Sequence, residues 1–158
     1  MKLEQKAWGL IAVAWMLIIF GFSAQDAAAS SEMSGGIVNG VVHIIIGLSK
    51  AILGISVSVD AGGLTFVIRK CAHGFLYFIL GILICHGLSI GKRVNFKQGI
   101  GAVLICLIYA ASDELHQRFS FGRSCELRDV CIDTFGALLG IMLYYFFKNR
   151  QLNKKTKE

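Results

Sequence analysis

An all-α polytopic membrane protein, with four transmembrane helices and an interfacial or re-entrant helix between the first two, is the architecture this chain predicts. Three observations predict it. Apolar residues make up 55% of the 158 and charged ones only 16%, far from a typical soluble profile. Proline is absent, which suits uninterrupted helices. Four stretches, about 7–23, 65–90, 97–117 and 126–147, are apolar over the length a helix needs to cross a roughly 30 Å hydrocarbon core. They form a single domain over 1–158, ending in a basic tail at 148–158.

The first span, 7–23, holds no charge. Lys2, Lys6, an apolar core and Ala27-Ala28-Ala29 also resemble a signal peptide. An uncleaved helix is the preferred reading, because the core is long for a signal and its removal would upset the charge-based topology. The polar start of 25–63 reads as loop, and 37–55 is apolar enough to resemble a fifth crossing. Asn39, His43, Gly47 and Lys50 recur on one narrow stripe, so this segment is expected to lie in the outer interface or dip in and return. His43 then reads as a headgroup-level histidine without chemistry.

The second span is uncharged from Phe75 to Ile90, its helix beginning near Leu64, and the third follows a short basic turn. In the fourth, Gly136 and Gly140 form a small-xxx-small pair suited to packing within the bundle. Trp8, Trp15, Tyr77, Tyr109, Tyr144 and Tyr145 fall near the expected boundaries, as interfacial anchors do.

The net charge is +6, and its placement excludes nucleic-acid binding as the main reading. Lys2, Lys6, Lys92, Arg93, Lys97, Lys148, Arg150, Lys154, Lys155 and Lys157 fall at the N-terminus, one turn and the tail. With four spans these lie on one side, which the positive-inside rule makes the cytoplasm. Both termini are therefore expected there, and a fifth crossing would place the basic tail outside. Cys71, Cys85, Cys106, Cys125 and Cys131 make no metal knuckle or usual redox pair. Cys85 and Cys106 read as small apolar residues inside spans; a disulfide among the other three is the minor reading.

Against this apolar background, 112–136 carries nine Asp, Glu, His and Arg side chains. Charges within a membrane usually face a bundle interior, a cavity or the headgroup layer. Arg69, His73 and Tyr77 are spaced i, i+4, i+8 on one face, with Lys70 beside them. Asp113, His116 and Gln117 share a face of the third span, Glu114 being rotated by about 100°. Asp129 and Asp133 follow at i, i+4 after a turn containing Arg123. Three faces are thus expected to meet beneath the outer headgroup layer. The plainer reading is a set of ion pairs that clamps the helices; the functional reading rests on the surplus of histidines, Gln117 and carboxylates.

These pieces carry a resemblance. Ser23-x-Gln25, Arg69-Lys70-x-x-His73-x-x-x-Tyr77, Asp113-Glu114-x-His116-Gln117-x-Phe119, Gly122-Arg123 and Asp129-x-x-x-Asp133-x-x-Gly136 run in order along nearly the whole chain. In this it resembles the VanZ-like membrane proteins. That family usually has proline before its Gly-Arg pair and often Asn before the late Thr, where this chain has Phe121 and Asp133. The resemblance implies a small multi-pass protein of the bacterial cell membrane whose namesake is linked to glycopeptide, in particular teicoplanin, resistance. It nominates Arg69, Lys70, His73, Asp113, Glu114, His116, Gln117, Arg123, Asp129 and Asp133.

The first functional expectation is an outer-leaflet site that binds or modifies a lipid headgroup or lipid-linked cell-wall precursor. Arg69, Lys70 and Arg123 would hold phosphate, with Gln117, Asp129 and Asp133 completing the binding set. His73, His116, Asp113 and Glu114 are the acid–base candidates. No cofactor is expected and no residue is assigned as a metal ligand, although a divalent cation bridging Asp113, Glu114 and Asp129 to a phosphate is chemically compatible. Glycine-rich phosphate loops and His-Glu-x-x-His motifs are absent from the sequence. The alternatives are a binder that reduces drug access, a proton-coupled carrier and a non-catalytic scaffold. The expected partners are membrane lipids or a lipid-linked precursor, with a homo-oligomer left open.

Overall fold

The computed structural model describes residues 2–24, 27–55, 58, 60–119 and 126–155, without the side chains of 2, 27–31, 33–34, 53 and 154–155. Helix α1 is Lys2–Ser23, α2 Ala27–Leu48, α3 Ala61–Leu88, α4 Phe96–Gln117 and α5 Leu127–Lys155. Strands are absent among the described residues. Helix α2 continues into a π-helical turn, Ser49–Leu53, which Gly54 ends at φ +65°. That left-handed conformation favours glycine.

Local chemistry sets the boundaries. The Asp60 side chain accepts from Gly62 N at 3.0 Å, so α3 starts at Ala61, a turn earlier than the apolar pattern suggests. Asn95 and Gln98 form a reciprocal capping box at the start of α4, at 2.8 and 2.9 Å. Asn149 grips the Val94 backbone through both amide atoms, at 3.0 and 3.1 Å. That grip ties the far end of α5 to the α3–α4 turn. The expected tail is therefore helical to Lys155, residues 156–158 lying outside the description.

Helices α1, α3, α4 and α5 form an up-down-up-down bundle, with α3 touching every other helix. Its tightest partner is α5, which runs parallel to it. A Cβ added to Gly136 would collide with the Gly74 carbonyl, one on Gly140 with the Phe78 carbonyl, and one on Gly81 with the Ala137 carbonyl. The small-residue stripe works within one bundle, as the spacing predicts. Below the polar end the core is apolar, built from Leu80, Ile84, Cys85, Ala102, Cys106, Ala137 and Ile141. Large apolar residues such as Leu10, Phe75, Ile108 and Phe135 point outward, as lipid-facing residues do.

Of the aromatics expected near the boundaries, Trp8, Trp15, Tyr109 and Tyr144 also reach across to another helix. Trp15 Nε1 donates to the Leu76 carbonyl at 3.0 Å and Tyr109 Oη to the Met16 carbonyl at 2.6 Å. Tyr77 is fully buried. His86 bonds Tyr144 Oη at 2.8 Å and packs against Trp8 at 4.1 Å. A side chain with an unmet polar group in lipid gains more from a bundle partner than from isolation. Cys71, Cys85, Cys106 and Cys131 are free thiols, and Cys125 lies outside the described residues.

By length and composition five helices could cross a membrane, the second of them Gly35–Ile52. Chain length decides what α2 does. Ser23 ends α1 against Asp113, and Ala61 begins α3 twelve residues before His73, about 18 Å beyond it along the axis. Residues 54–60, fully stretched, allow about 29 Å between Leu53 and Ala61. Leu53 therefore stays within about 11 Å below the level of His73, whereas His86 lies about 20 Å below it. Helix α2 leaves and rejoins the bundle at the same end, which supports the four-plus-one arrangement. Asn39, His43, Gly47 and Lys50 are exposed on it, and Val38 packs inward.

Gly140→Val should lose about 3 kcal/mol or more of stability, read as a lower melting temperature in detergent. Gly99→Ala, where an added Cβ meets nothing, should leave it unchanged or slightly raised.

Candidate functional site

One end of the bundle brings together the last residue of α1, the first turns of α3, the last turns of α4 and the first turns of α5. Ser23 Oγ donates to Asp113 Oδ2 at 2.6 Å. Gln117, one turn on from Asp113, sends Nε2 to Ser23 Oγ at 3.3 Å and to Asp113 Oδ2 at 3.4 Å. All three are buried. From α3 and α5 come His73 and Asp133. One ligating atom from each of His73, Asp113 and Asp133 lies within 4.8 Å of the others. Asp113 and Asp133 are only 2% and 4% exposed, so these carboxylates are shielded from water on three sides by helices.

Tyr77 lies one turn below His73 on the same face of α3. Its ring packs 5.9 Å from Tyr109, and its hydroxyl finds no hydrogen-bond partner among the described residues. Asp113 and Asp133 are within electrostatic reach of that hydroxyl.

An outer ring of charge surrounds this cluster. Lys70 on α3 pairs with Asp129 on α5, both largely buried. Arg128 pairs with Glu126 at 2.5 Å and stands 4.0 Å from Asp129. Lys70 and Arg128 also sit over the Phe66 ring, at 5.2 and 4.9 Å from its centroid. Glu114, 2% exposed, accepts from the Glu126 backbone N at 2.7 Å and so ties the entry of α5 to α4. Arg69 is half-buried one turn above His73, with no ion pair among the described residues.

Beside the ring, the outer faces of α3 and α5 enclose an apolar groove of about 590 Å³. Val67, Gly74, Phe78, Ile132, Phe135 and Leu139 help to line it, and Lys70 and Arg128 stand at its polar end.

The sequence expectations divide accordingly. His73, Asp113, Gln117 and Asp133 meet in the buried centre, and Lys70 and Asp129 form its rim. His116 does not join them: its ring stacks on Phe20 of α1 at 4.2 Å. A step of three residues turns it about 60° from Asp113, so it meets Phe20 of α1 a turn away from Ser23 and the cluster. Glu114 and Asp129 are engaged by the Glu126 backbone and by Lys70, so the cluster with Asp113 contains His73 and Asp133 in their place. Arg123, Gln25 and the Gly122 turn lie outside the described residues. Two members were not nominated. Ser23 closes an otherwise apolar span, and Tyr77 sits at i+4 from His73, which was the available signal.

The sequence matches a known family. The sequence profile described as VanZ/LLP1 covers residues 8–148. The chain belongs to the VanZ-like family. Neither a curated protein nor a solved structure matches it. The profile spans α1 to nearly the end of α5, so the whole buried site falls inside the VanZ-like region.

Lys70→Met should cost about 3 kcal/mol by leaving Asp129 buried without its cation, while Lys70→Met with Asp129→Leu should recover most of the loss. Ser23→Ala should cost about 1–3 kcal/mol, the range for leaving a buried acceptor without its donor. Thermal unfolding in detergent reads all three.

Proposed function

We propose that this VanZ-like protein holds the headgroup of a membrane lipid or lipid-linked cell-wall precursor at the outer leaflet, and binds or modifies it there. The role that follows is a contribution to teicoplanin-type glycopeptide resistance or to envelope homeostasis.

The observation that carries this reading is the adjacency of the α3–α5 groove and the charged rim. The groove is apolar and open to the bundle's outer face, as an acyl chain requires, and its polar end carries Lys70 and Arg128. Guanidinium and ammonium groups match phosphate oxygens, and Arg69 supplies a further cation above His73. Behind that rim lie His73, Asp113 and Asp133, groups able to accept or donate protons to a headgroup. The helices are already held by the glycine stripe, the Lys70–Asp129 pair and the Glu114 bond to Glu126. The buried centre adds polar groups beyond that clamp.

The charge distribution supports an outward orientation. Lys92, Arg93, Lys97, Lys148 and Arg150 lie at the end of the bundle opposite the site, which the positive-inside rule assigns to the cytoplasm with both termini. A proton carrier is less well supported. Leu80, Ile84, Cys85, Cys106 and Ile141 separate the polar site from His86, and the described core offers no polar path between them.

Leu139→Trp, which fills the groove, and Arg69→Ala should each lower the glycopeptide tolerance conferred by the chain and reduce copurifying lipid, with membrane abundance unchanged. His116→Ala should have little effect. Lipid and precursor profiles of cells with and without the chain separate modification from binding. An unchanged pool removes the enzymatic branch, and unchanged tolerance and lipid content in both variants would sink the headgroup reading. A reporter fused after residue 158 should be inaccessible from outside intact cells.

A further inference from the structure

We propose that His73, Asp113 and Asp133 form a site for one divalent transition-metal cation of the Mn²⁺ or Zn²⁺ type. This differs from the all-carboxylate bridge through Glu114 and Asp129 that the sequence allows, and it stands independently of the headgroup reading.

Three helices each deliver one ligand. His73 comes from α3, Asp113 from α4 and Asp133 from α5, with a ligating atom of each within 4.8 Å of the others. Metal–ligand bonds of about 2.0–2.2 Å place ligand atoms roughly 3–3.5 Å apart, a small side-chain contraction from that spacing. Two carboxylates and a neutral imidazole match the charge of a divalent ion. The mixed nitrogen and oxygen set suits Mn²⁺ or Zn²⁺, whereas Mg²⁺ and Ca²⁺ prefer oxygen alone.

The second observation is Tyr77. Its side chain is 0% exposed and its hydroxyl has no hydrogen-bond partner among the described residues. It lies one turn below His73 and within electrostatic reach of both aspartates. A buried hydroxyl so placed calls for a partner inside the cluster, and a metal-bound water or oxygen ligand supplies one. The surroundings fit as well. Ser23 and Gln117 donate to Asp113 Oδ2 at 2.6 and 3.4 Å, the outer-sphere orientation typical of a ligating carboxylate.

The test uses the full chain, purified in detergent, stripped with a chelator and titrated with MnCl₂ alone. Loss of the free-ion electron paramagnetic resonance signal should report one Mn²⁺ per chain, displaced by ZnCl₂. Electron spin-echo modulation of the bound ion should show a nitrogen coupling from His73. His73→Gln and Asp133→Asn should each weaken binding about tenfold or more, while His43→Gln, exposed on α2, leaves it unchanged. No binding of Mn²⁺ or Zn²⁺ by the wild-type chain would overturn the proposal. So would bound Mn²⁺ lacking the nitrogen coupling, or binding that survives both substitutions. The wild-type spectrum decides the matter even where a variant fails to fold. Because lipid is absent from this assay, the metal and headgroup readings fail separately.

Discussion

The close approach of α3 and α5 is the constraint on which the rest of the molecule depends. In lipid, apolar side chains gain little by leaving one another for the bilayer, so helices associate through fitted surfaces and polar contacts. Gly74, Gly81, Gly136, Ala137 and Gly140 remove the side chains that would hold these two helices apart. Backbone then meets backbone, and the relative height and rotation of α3 and α5 are set within narrow limits. With those set, Lys70 falls opposite Asp129 and His73 falls beside Asp133. A looser contact would let the same residues slide past one another.

The polar end is organised in two layers with different physical roles. The rim consists of ion pairs and one backbone bond: Lys70–Asp129, Arg128–Glu126, and Glu114 with the Glu126 amide. These offset the cost of bringing charge under the headgroup layer and fix the entry of α5. The centre is smaller and drier. Ser23 and Gln117 orient Asp113, and Asp133, His73 and Tyr77 close around it. A clamp requires the first layer. The second concentrates proton-active and metal-ligating chemistry where water is scarce, which is the setting in which such groups act most strongly.

Much of this was legible in the sequence, and the reasons are local. The span pattern follows from runs of apolar residues, the small-xxx-small pair from Gly136 and Gly140, and the polar faces of α3, α4 and α5 from helical spacing. The reading failed where a side chain's neighbour belongs to a helix distant in the sequence. His116 shares its turn of α4 with Asp113 and Gln117, yet it meets Phe20 because α1 lies on that side. Trp15 and Tyr109 sit near expected boundaries, yet each finds a carbonyl on another helix. Ser23 belongs to the family pattern but carries no charge, and its contact with Asp113 reveals what it does.

By itself, then, the sequence determined the class of molecule and the end of the bundle that gathers histidines and carboxylates. Hydropathy and charge count are properties of consecutive residues and survive without knowledge of packing. Tertiary structure decided which members of that charged set meet. It separated rim from centre, set His116 against Phe20, brought in Ser23 and left the Tyr77 hydroxyl buried without a hydrogen-bond partner among the described residues. Those outcomes depend on helix rotation and offset, which the glycine contacts of α3 with α5 and the hydrogen bonds from α1 impose between segments far apart in the chain.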